Sequence, residues 1–335
     1  MKRSYAVWLV VAVSVLIVGY LYMRTDLGHK SAGPPEKVTI AYSSSPDSAL
    51  AQVAQVKGYY LMEGLDAVPL KYAYGKVALD AVLEGKADFA TVAETPVMFA
   101  IMKGEKISII ATIQTSNRNN VIIARKDRGI NTPQDLKGRR IAVTSGTLLD
   151  FFLDSFLATI GITRKNVEAV NMKPEAMVDA VVKGEVDAIS AWSYIVIEAQ
   201  QRLGDSGITF LNEDLYTQTF NVVATQEFIR RNPEKVDRLL RALFKAEEFV
   251  ELNPFKAQSL VADFCKIDRS VVARMWAAED FSVSLDQSLV LALEDESQWA
   301  IKNRFSDRMK VPNYLDHIYI DGLKSVKPEA VRILR

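Results

Sequence analysis

One cysteine and two histidines are all the thiol and imidazole that this 335-residue chain contains. Cys265 has no partner for an internal disulfide, so disulfide content says nothing about the compartment. His29 and His317 lie near opposite ends, which leaves too little for a zinc site of the usual kind; no metal and no cofactor is expected. The same scarcity argues against an enzyme. General acid-base and nucleophilic chemistry draws mostly on histidine and cysteine, and none of the three residues falls on a loop where a cleft is expected. An excess of charge is lacking too, because 41 basic residues balance 41 acidic ones. No net field and no basic stripe interleaved with aromatics favours nucleic acid as a partner.

What the chain does have is apolar surface to bury. With 49% hydrophobic residues over this length, a large core and two domains are expected. At the front, Lys2 and Arg3 precede an uncharged run from Ser4 to Met23. Its apolar part, from Ala6, spans about 27 Å as a helix, close to the roughly 30 Å of a hydrocarbon core. Such a run is exported or anchored, and the leading positive residues hold its front in the cytoplasm, so the rest is expected outside the inner membrane. Retention of residues 4–23 as an anchor is preferred, since the run exceeds the usual apolar core of a signal peptide and no Ala-x-Ala site follows at once; cleavage near "HKSAG" is the alternative. No cysteine follows the run, which excludes lipid attachment there. The segment from Thr25 to Glu36 is a linker rich in turn formers.

From Lys37 the wording alternates strand and helix, which predicts α/β structure with parallel strands. "KVTIAYS" is a strand, "SALAQVAQVKGYYLMEGL" a helix broken at Gly58, and "DAVPLKYA" a second strand. Next comes "LDAVLEGKADFA" (Leu79 to Ala90), and the chain repeats it as "VDAVVKGEVDAI" (Val178 to Ile189). Asp80, Ala81, Val82, Gly85 and Asp88 match Asp179, Ala180, Val181, Gly184 and Asp187 at the single offset of 99 residues. Each copy reads as a helix ended by a left-handed glycine and followed by a short buried strand. A second unit opens near residue 126, where Thr132, Pro133 and Asp135 form a capping box and Gly138 precedes the strand Arg140 to Thr144. "NVVA" (Asn221 to Ala224) echoes "NVIIA" (Asn120 to Ala124), and both are read as crossing strands between two lobes. After residue 225 the chain turns helical, with Asn232 and Pro233 opening a long amphipathic helix. The expected division is a linker and anchor at 1–35, a first lobe from 36–124 and 222–335, and a second lobe from 125–221.

In open parallel sheets ligands gather beyond the carboxyl ends of strands, beside helix N-termini. Four loops fall there. In "SSSPDS", Ser43 and Ser44 either touch ligand or cap the next helix. In "AETP", Glu94 and Thr95 either hold a cationic or hydroxylated group or only favour a helix start. In "TSGT", Ser145, Gly146 and Thr147 suit an anion or polar head group, because glycine lets the backbone approach. Trp192, just after the second repeat strand, is either a stacking wall or a core residue at the lobe edge. Loops from two similar lobes would face each other across a cleft that hinges shut on a small molecule.

"VTIAYS", "GKADFATVAETPVMFA", "DLKGRRIAVTSGT" and "GEVDAISAW" together resemble the solute-binding proteins of the nitrate, sulfonate and taurine group, which includes binders of thiamine-pyrimidine precursors. The resemblance covers roughly Lys37 to Arg304. It implies a periplasmic-binding-protein fold of the second type: two α/β lobes joined by two crossing strands, with the ligand cleft between them. It also implies a monomer that does no chemistry on its ligand and delivers it to an ABC importer's permease in the membrane. Carried over by position, the ligand loops lie around Ser44, Glu94, Thr95, Ser145, Thr147 and Trp192. Tyr194 departs from the proline that members of the group often place two residues after the tryptophan, so the cleft wall differs there. The alternatives are a membrane-tethered sensing domain and, further off, an enzyme of the precursor-synthase branch that shares the fold.

Overall fold

A computed structural model describes residues 33–334. The run Ser4 to Met23, the anchor read into it and His29 lie outside the described residues. Among the described residues, no helix is long and apolar enough to cross a membrane.

The molecule is built on two mixed five-stranded sheets. Strands β1 (Glu36–Ser43), β2 (Leu65–Tyr72), β3 (Phe89–Ala93), β4 (Ile107–Ser116) and β10 (Gln218–Thr225) form the first, in the order β2-β1-β3-β10-β4. Strands β5 (Asn120–Arg125), β6 (Arg140–Val143), β7 (Glu168–Asn171), β8 (Ala188–Trp192) and β9 (Gly207–Phe210) form the second, in the order β7-β6-β8-β5-β9. The two orders correspond place for place. Within each sheet the first three strands are parallel, as the wording predicts. The fourth is not: β10 runs antiparallel to β3 and β4, and β5 to β8 and β9. A chain that arrives from the other lobe enters a sheet at its carboxyl edge, so its strand must run backwards.

Neither "NVIIA" nor "NVVA" is itself a crossing segment. Each is embedded in one sheet, and the passages between sheets are the connections 117–119 and 211–217. Residues 120–124, read above as the end of the first lobe, therefore pair within the second sheet. The echo is also one residue out of step. Asn120 pairs with Trp192 and Phe220 with Ala93, so Phe220 rather than Asn221 is the counterpart of Asn120. A slip of one residue turns a strand's side chains to the other face.

The repeat at offset 99 is reproduced bond for bond. Lys86 N–H donates to Ala81 O (2.8 Å) and Glu185 N–H to Ala180 O (2.9 Å); Gly85 and Gly184 donate to Val82 O and Val181 O. Both glycines hold positive φ, 71° and 75°, the left-handed conformation that closes a helix. The repeated aspartates have a shared use as well. Asp88 Oδ2 accepts the Thr39 N–H (2.7 Å) in β1, and Asp187 Oδ2 accepts the Arg140 N–H (2.9 Å) in β6. Each carboxylate thus ties the repeat's loop to the neighbouring parallel strand. One apolar core spans the first sheet and draws on both chain ends, from Val38 to Ala330. The second sheet carries an apolar cluster on each face.

These caps are testable. Alanine at Gly85 meets no atom within 4 Å, so Gly85→Ala isolates the backbone cost of a left-handed residue, about 1–2 kcal/mol. Gly184→Ala should cost at least as much, since its Cβ also meets the Arg128 guanidinium at 2.6 Å and, at 3.3 Å, the Arg125 Nη1 that donates to Val181 O and Val182 O. Urea unfolding of both variants checks this.

Candidate functional site

The carboxyl-end loops of both sheets converge on one interlobe cavity. The first lobe contributes Ser43, Ser45, Asp47, Tyr74, Lys76, Gln218 and Phe220, and the second contributes Thr147, Leu148, Trp192 and Tyr194. Tyr74 reaches it because Gly75 opens the next helix hard against β3: a Cβ there would stand 2.9 Å from Val92 Cα. Tyr74 then faces Trp192 across the lobes with ring centroids 6.3 Å apart, and Trp192 lies parallel to Tyr194 at 6.2 Å. The space enclosed is about 20 Å³, room for about one water. An organic solute therefore enters only when the lobes part.

The residues singled out from the sequence do not all meet here. Ser43, Thr147 and Trp192 line the cavity. Thr147 spends its hydroxyl on the helix it caps, accepting from Leu149 N–H (3.3 Å) and donating to Thr144 O (2.7 Å). Ser145 and Gly146 line a separate interlobe groove of about 590 Å³ that shares Lys76 and Pro96 with the cavity. Ser44 faces a third hollow, beside Tyr194 and Ile267. Glu94 and Thr95 reach none of these spaces. Both are fully buried, with Glu94 Oε2 accepting from Thr219 N–H (2.9 Å) and Thr95 Oγ1 donating to Glu296 Oε1 (2.9 Å). Their helix begins at the cleft but turns these two side chains inward, because the face it packs on the helix Gln287–Lys302 carries them.

Asp47, Tyr74 and Gln218 were not legible as site residues. Asp47 stands inside "SSSPDS", where it reads as a helix-start acid, and Tyr74 follows the edge strand β2 in a loop without glycine or hydroxyl signals before it. Asp47 is 2% exposed, and Asn119 Nδ2 donates to its Oδ1 at 2.6 Å. Burial pushes its pKa up to about 6, against the lowering pull of Ser45 and Asn119. Nearby, burial and then the charge of Asp47 push Glu279 up to about 9. Asn119 also accepts from Ser193 Oγ (2.8 Å), so one side chain in the first crossing links the acid in one lobe to the helix behind Trp192 in the other. The second crossing is tied in likewise: Asn120 Nδ2 donates to Gln218 Oε1 (3.1 Å), and Gln218 Nε2 to Gln114 Oε1 (3.3 Å).

The NMT1/THI5-like family model matches residues 45–257. The taurine-binding periplasmic protein of Escherichia coli is 25% identical over 223 residues, 65% of this chain and 67% of that one. The 4-amino-5-hydroxymethyl-2-methylpyrimidine phosphate synthase of Saccharomyces cerevisiae is 24% identical over 225 residues, 63% of this chain and 66% of the yeast protein. Among solved structures, the alkanesulfonate-binding protein SsuA of Xanthomonas axonopodis bound to MOPS superposes with a TM-score of 0.73 at 18% identity, covering 86% of this chain and 99% of that one. The fold is thus that of the periplasmic binding proteins.

Asp47 binds its proton more tightly folded than unfolded, so its contribution to stability is full below about pH 4 and is lost as pH rises through about 6. Asp47→Asn, which cannot ionise, should match wild type near pH 4 and exceed it at pH 8 by roughly 2–3 kcal/mol. Urea titrations at the two pH values measure the difference.

Proposed function

The chain belongs to the NMT1/THI5-like family, and from that premise we propose that it is an extracytoplasmic solute receptor that closes on a small planar molecule bearing an amine and delivers it to an ABC importer. The observation that carries the reading is the cavity itself: a buried acid, Asp47, enclosed by Tyr74, Trp192 and Tyr194 with walls from both lobes. Aromatic faces favour a flat body or a cation. A carboxylate repels a bare anion and accepts hydrogen bonds from an amine. Lys76 is the one basic side chain lining the cavity among the described residues, and it pairs with Asp80 at 3.2 Å. Of the ligand classes the family suggests, an aminopyrimidine of the thiamine-precursor kind fits these walls better than nitrate or a simple sulfonate.

Capture rather than conversion is supported by what surrounds the remaining nucleophile. Burial pushes the Cys265 thiol up to about 12, and its Sγ donates to Gln52 Oε1 (3.4 Å). His317 is engaged with Ile107 O at 2.9 Å, away from the cavity. A second reading, a tethered sensor that uses the same closure to signal to a membrane partner, rests on the uncharged run Ser4 to Met23 retained as an anchor.

Calorimetry against aminopyrimidines, taurine, alkanesulfonates and nitrate tests the proposal. Micromolar binding, about −8 kcal/mol, is expected for an aminopyrimidine, weakened at least tenfold by Trp192→Ala and by Asp47→Asn. Binding of a sulfonate or nitrate that is indifferent to both substitutions would refute this site.

A further inference from the structure

The cavity of about 20 Å³ is too small for an organic solute, and two larger spaces adjoin it, each walled by both lobes. The groove of about 590 Å³ shares Lys76 and Pro96 with it, and the hollow beside Ile267, of about 400 Å³, shares Tyr194. The dividing groups differ in kind. Tyr194 is stacked on Trp192 with ring planes 7° apart, so moving it unmakes the aromatic wall. Lys76 is a flexible stem whose Cε lies against the Gly146 loop, 3.8 Å from where a Cβ would stand. Its Nζ meets Asp80 of the same helix at 3.2 Å, and the two side chains are 39% and 44% exposed. A pair so open to water is worth little, so the lysine swings aside at small cost.

The groove suits an uncharged body. Leu79 and Leu83, on the helix Gly75–Leu83, and Phe99, on the helix Glu94–Met102, line it from the first lobe, while Val143 and Ala169 line it from the second. Phe305, 43% exposed, completes the apolar wall. The charges there are spent on one another. Lys76 pairs with Asp80 and Arg164 with Asp150, while Lys103 and Glu105 stand exposed and opposite in sign. The backbone donors of the loop are taken as well: Ser145 N–H donates to Asn171 Oδ1 (3.1 Å) and Gly146 N–H to Asp150 Oδ2 (2.6 Å). An anion would find both engaged, whereas apolar carbon gains by leaving water. The volume lies within the roughly 300–1,000 Å³ of small-molecule sites. The hollow beside Tyr194 is of the other kind, since Glu175, Asp179, Glu198 and Asp268 outnumber Arg202 and Lys266 there.

We propose that the solute is longer than the cavity: its flat amine-bearing head lies between Tyr74 and Trp192 beside Asp47, and an uncharged apolar arm runs past Lys76 into the groove. The head rests on the reading of the cavity given above, and the arm on the groove alone. Closure then buries head and arm between the same two lobes, and the solute is selected by its length as well as by its amine. A bare pyrimidine leaves Leu79, Leu83, Phe99 and Phe305 facing water. Each methylene that enters the groove covers part of that surface and is worth about fourfold in affinity.

Calorimetry on the full chain tests this with 4-aminopyrimidines carrying straight alkyl arms of one to six carbons, and with the alkanols from butanol to octanol, which bring the arm without the head. In both series affinity should rise about fourfold per methylene until the groove is full. Phe305→Asp, which sets a charge in the apolar wall, should flatten both series and leave the one-carbon pyrimidine bound as in wild type, whereas Phe305→Leu should keep the rise. Ala169→Leu fills the groove from the second lobe and should shorten the longest arm accepted, which gives the same reading should Phe305→Asp fail to fold. Trp192→Ala should weaken every pyrimidine by one factor and leave the alkanols unchanged. Equal affinity for the one-carbon and six-carbon pyrimidines overturns the arm, as does a rise that Phe305→Asp and Ala169→Leu leave unaltered. A larger gain from an arm ending in ammonium, lost in Glu198→Gln, overturns it in favour of the hollow beside Tyr194. If no pyrimidine binds, the reading of the head fails and the alkanols decide the groove: their rise upholds it and a flat series overturns it.

Discussion

The closed arrangement depends on one buried amide. Asn119, 0% exposed and the last residue before β5, donates to Asp47 and accepts from the backbone and hydroxyl of Ser193. Its own carbonyl accepts the Ser193 N–H as well, at 2.7 Å. An amide side chain carries its donor and its acceptor on separate atoms, so Asn119 faces Asp47 with Nδ2 and Ser193 with Oδ1, which an ionised acid could not do. Leaving a buried group unpartnered costs about 1–3 kcal/mol, and losing this amide would strand groups in both lobes together. Because Asp47 and Ser193 sit beside the aromatic wall, the residue that fixes the lobes also fixes the site.

The second crossing follows the same logic with longer amides. Gln114, Gln218 and Asn120 run from the first sheet into the second, and Gln114 Nε2 ends the chain on Glu279. Amides joined in series can exchange partners during a rotation without exposing an ionised group, which apolar packing or a salt bridge at this place could not do. A hinge made of such residues can be both specific when shut and able to open.

Much of the scaffold was legible because backbone demands leave marks in sequence. Gly85 and Gly184 are required by positive φ, Asp88 and Asp187 by an otherwise unpaired strand N–H, and Thr132 with Asp135 by a helix start. Such local requirements repeat wherever the same junction repeats. The direction of β5 and β10 left no local mark, because it is set by where a chain re-enters a sheet, a property of the whole topology. The site was legible only in part for a related reason. Trp192 and Thr147, read from loops at strand ends, line the cavity, yet which way a loop's side chains turn is decided by packing partners far away in sequence. Glu94 turns towards Thr219 and the helix of Glu296, more than a hundred residues on, whereas Asp47, in a loop that was noticed for its serines, turns into the cleft.

Overall neutrality concealed the charge that matters. The 41 acidic and 41 basic residues cancel in number but not in place. Away from the crossings, a buried acid meets bases: Glu63 is flanked by Arg241 and Lys245, whose pull outweighs its burial and leaves its pKa lowered. Around the crossings, Asp47, Glu94, Glu279 and Glu296 are all buried, and none takes part in an ion pair found among the described residues; all four have raised pKa values, with burial the first cause. Burial disfavours the charged form of each of these acids, whereas the bases beside Glu63 favour its charged form. The region around the crossings thus holds acids that no base offsets, so a chain with no net field still sets an acid, Asp47, in the wall of its cavity.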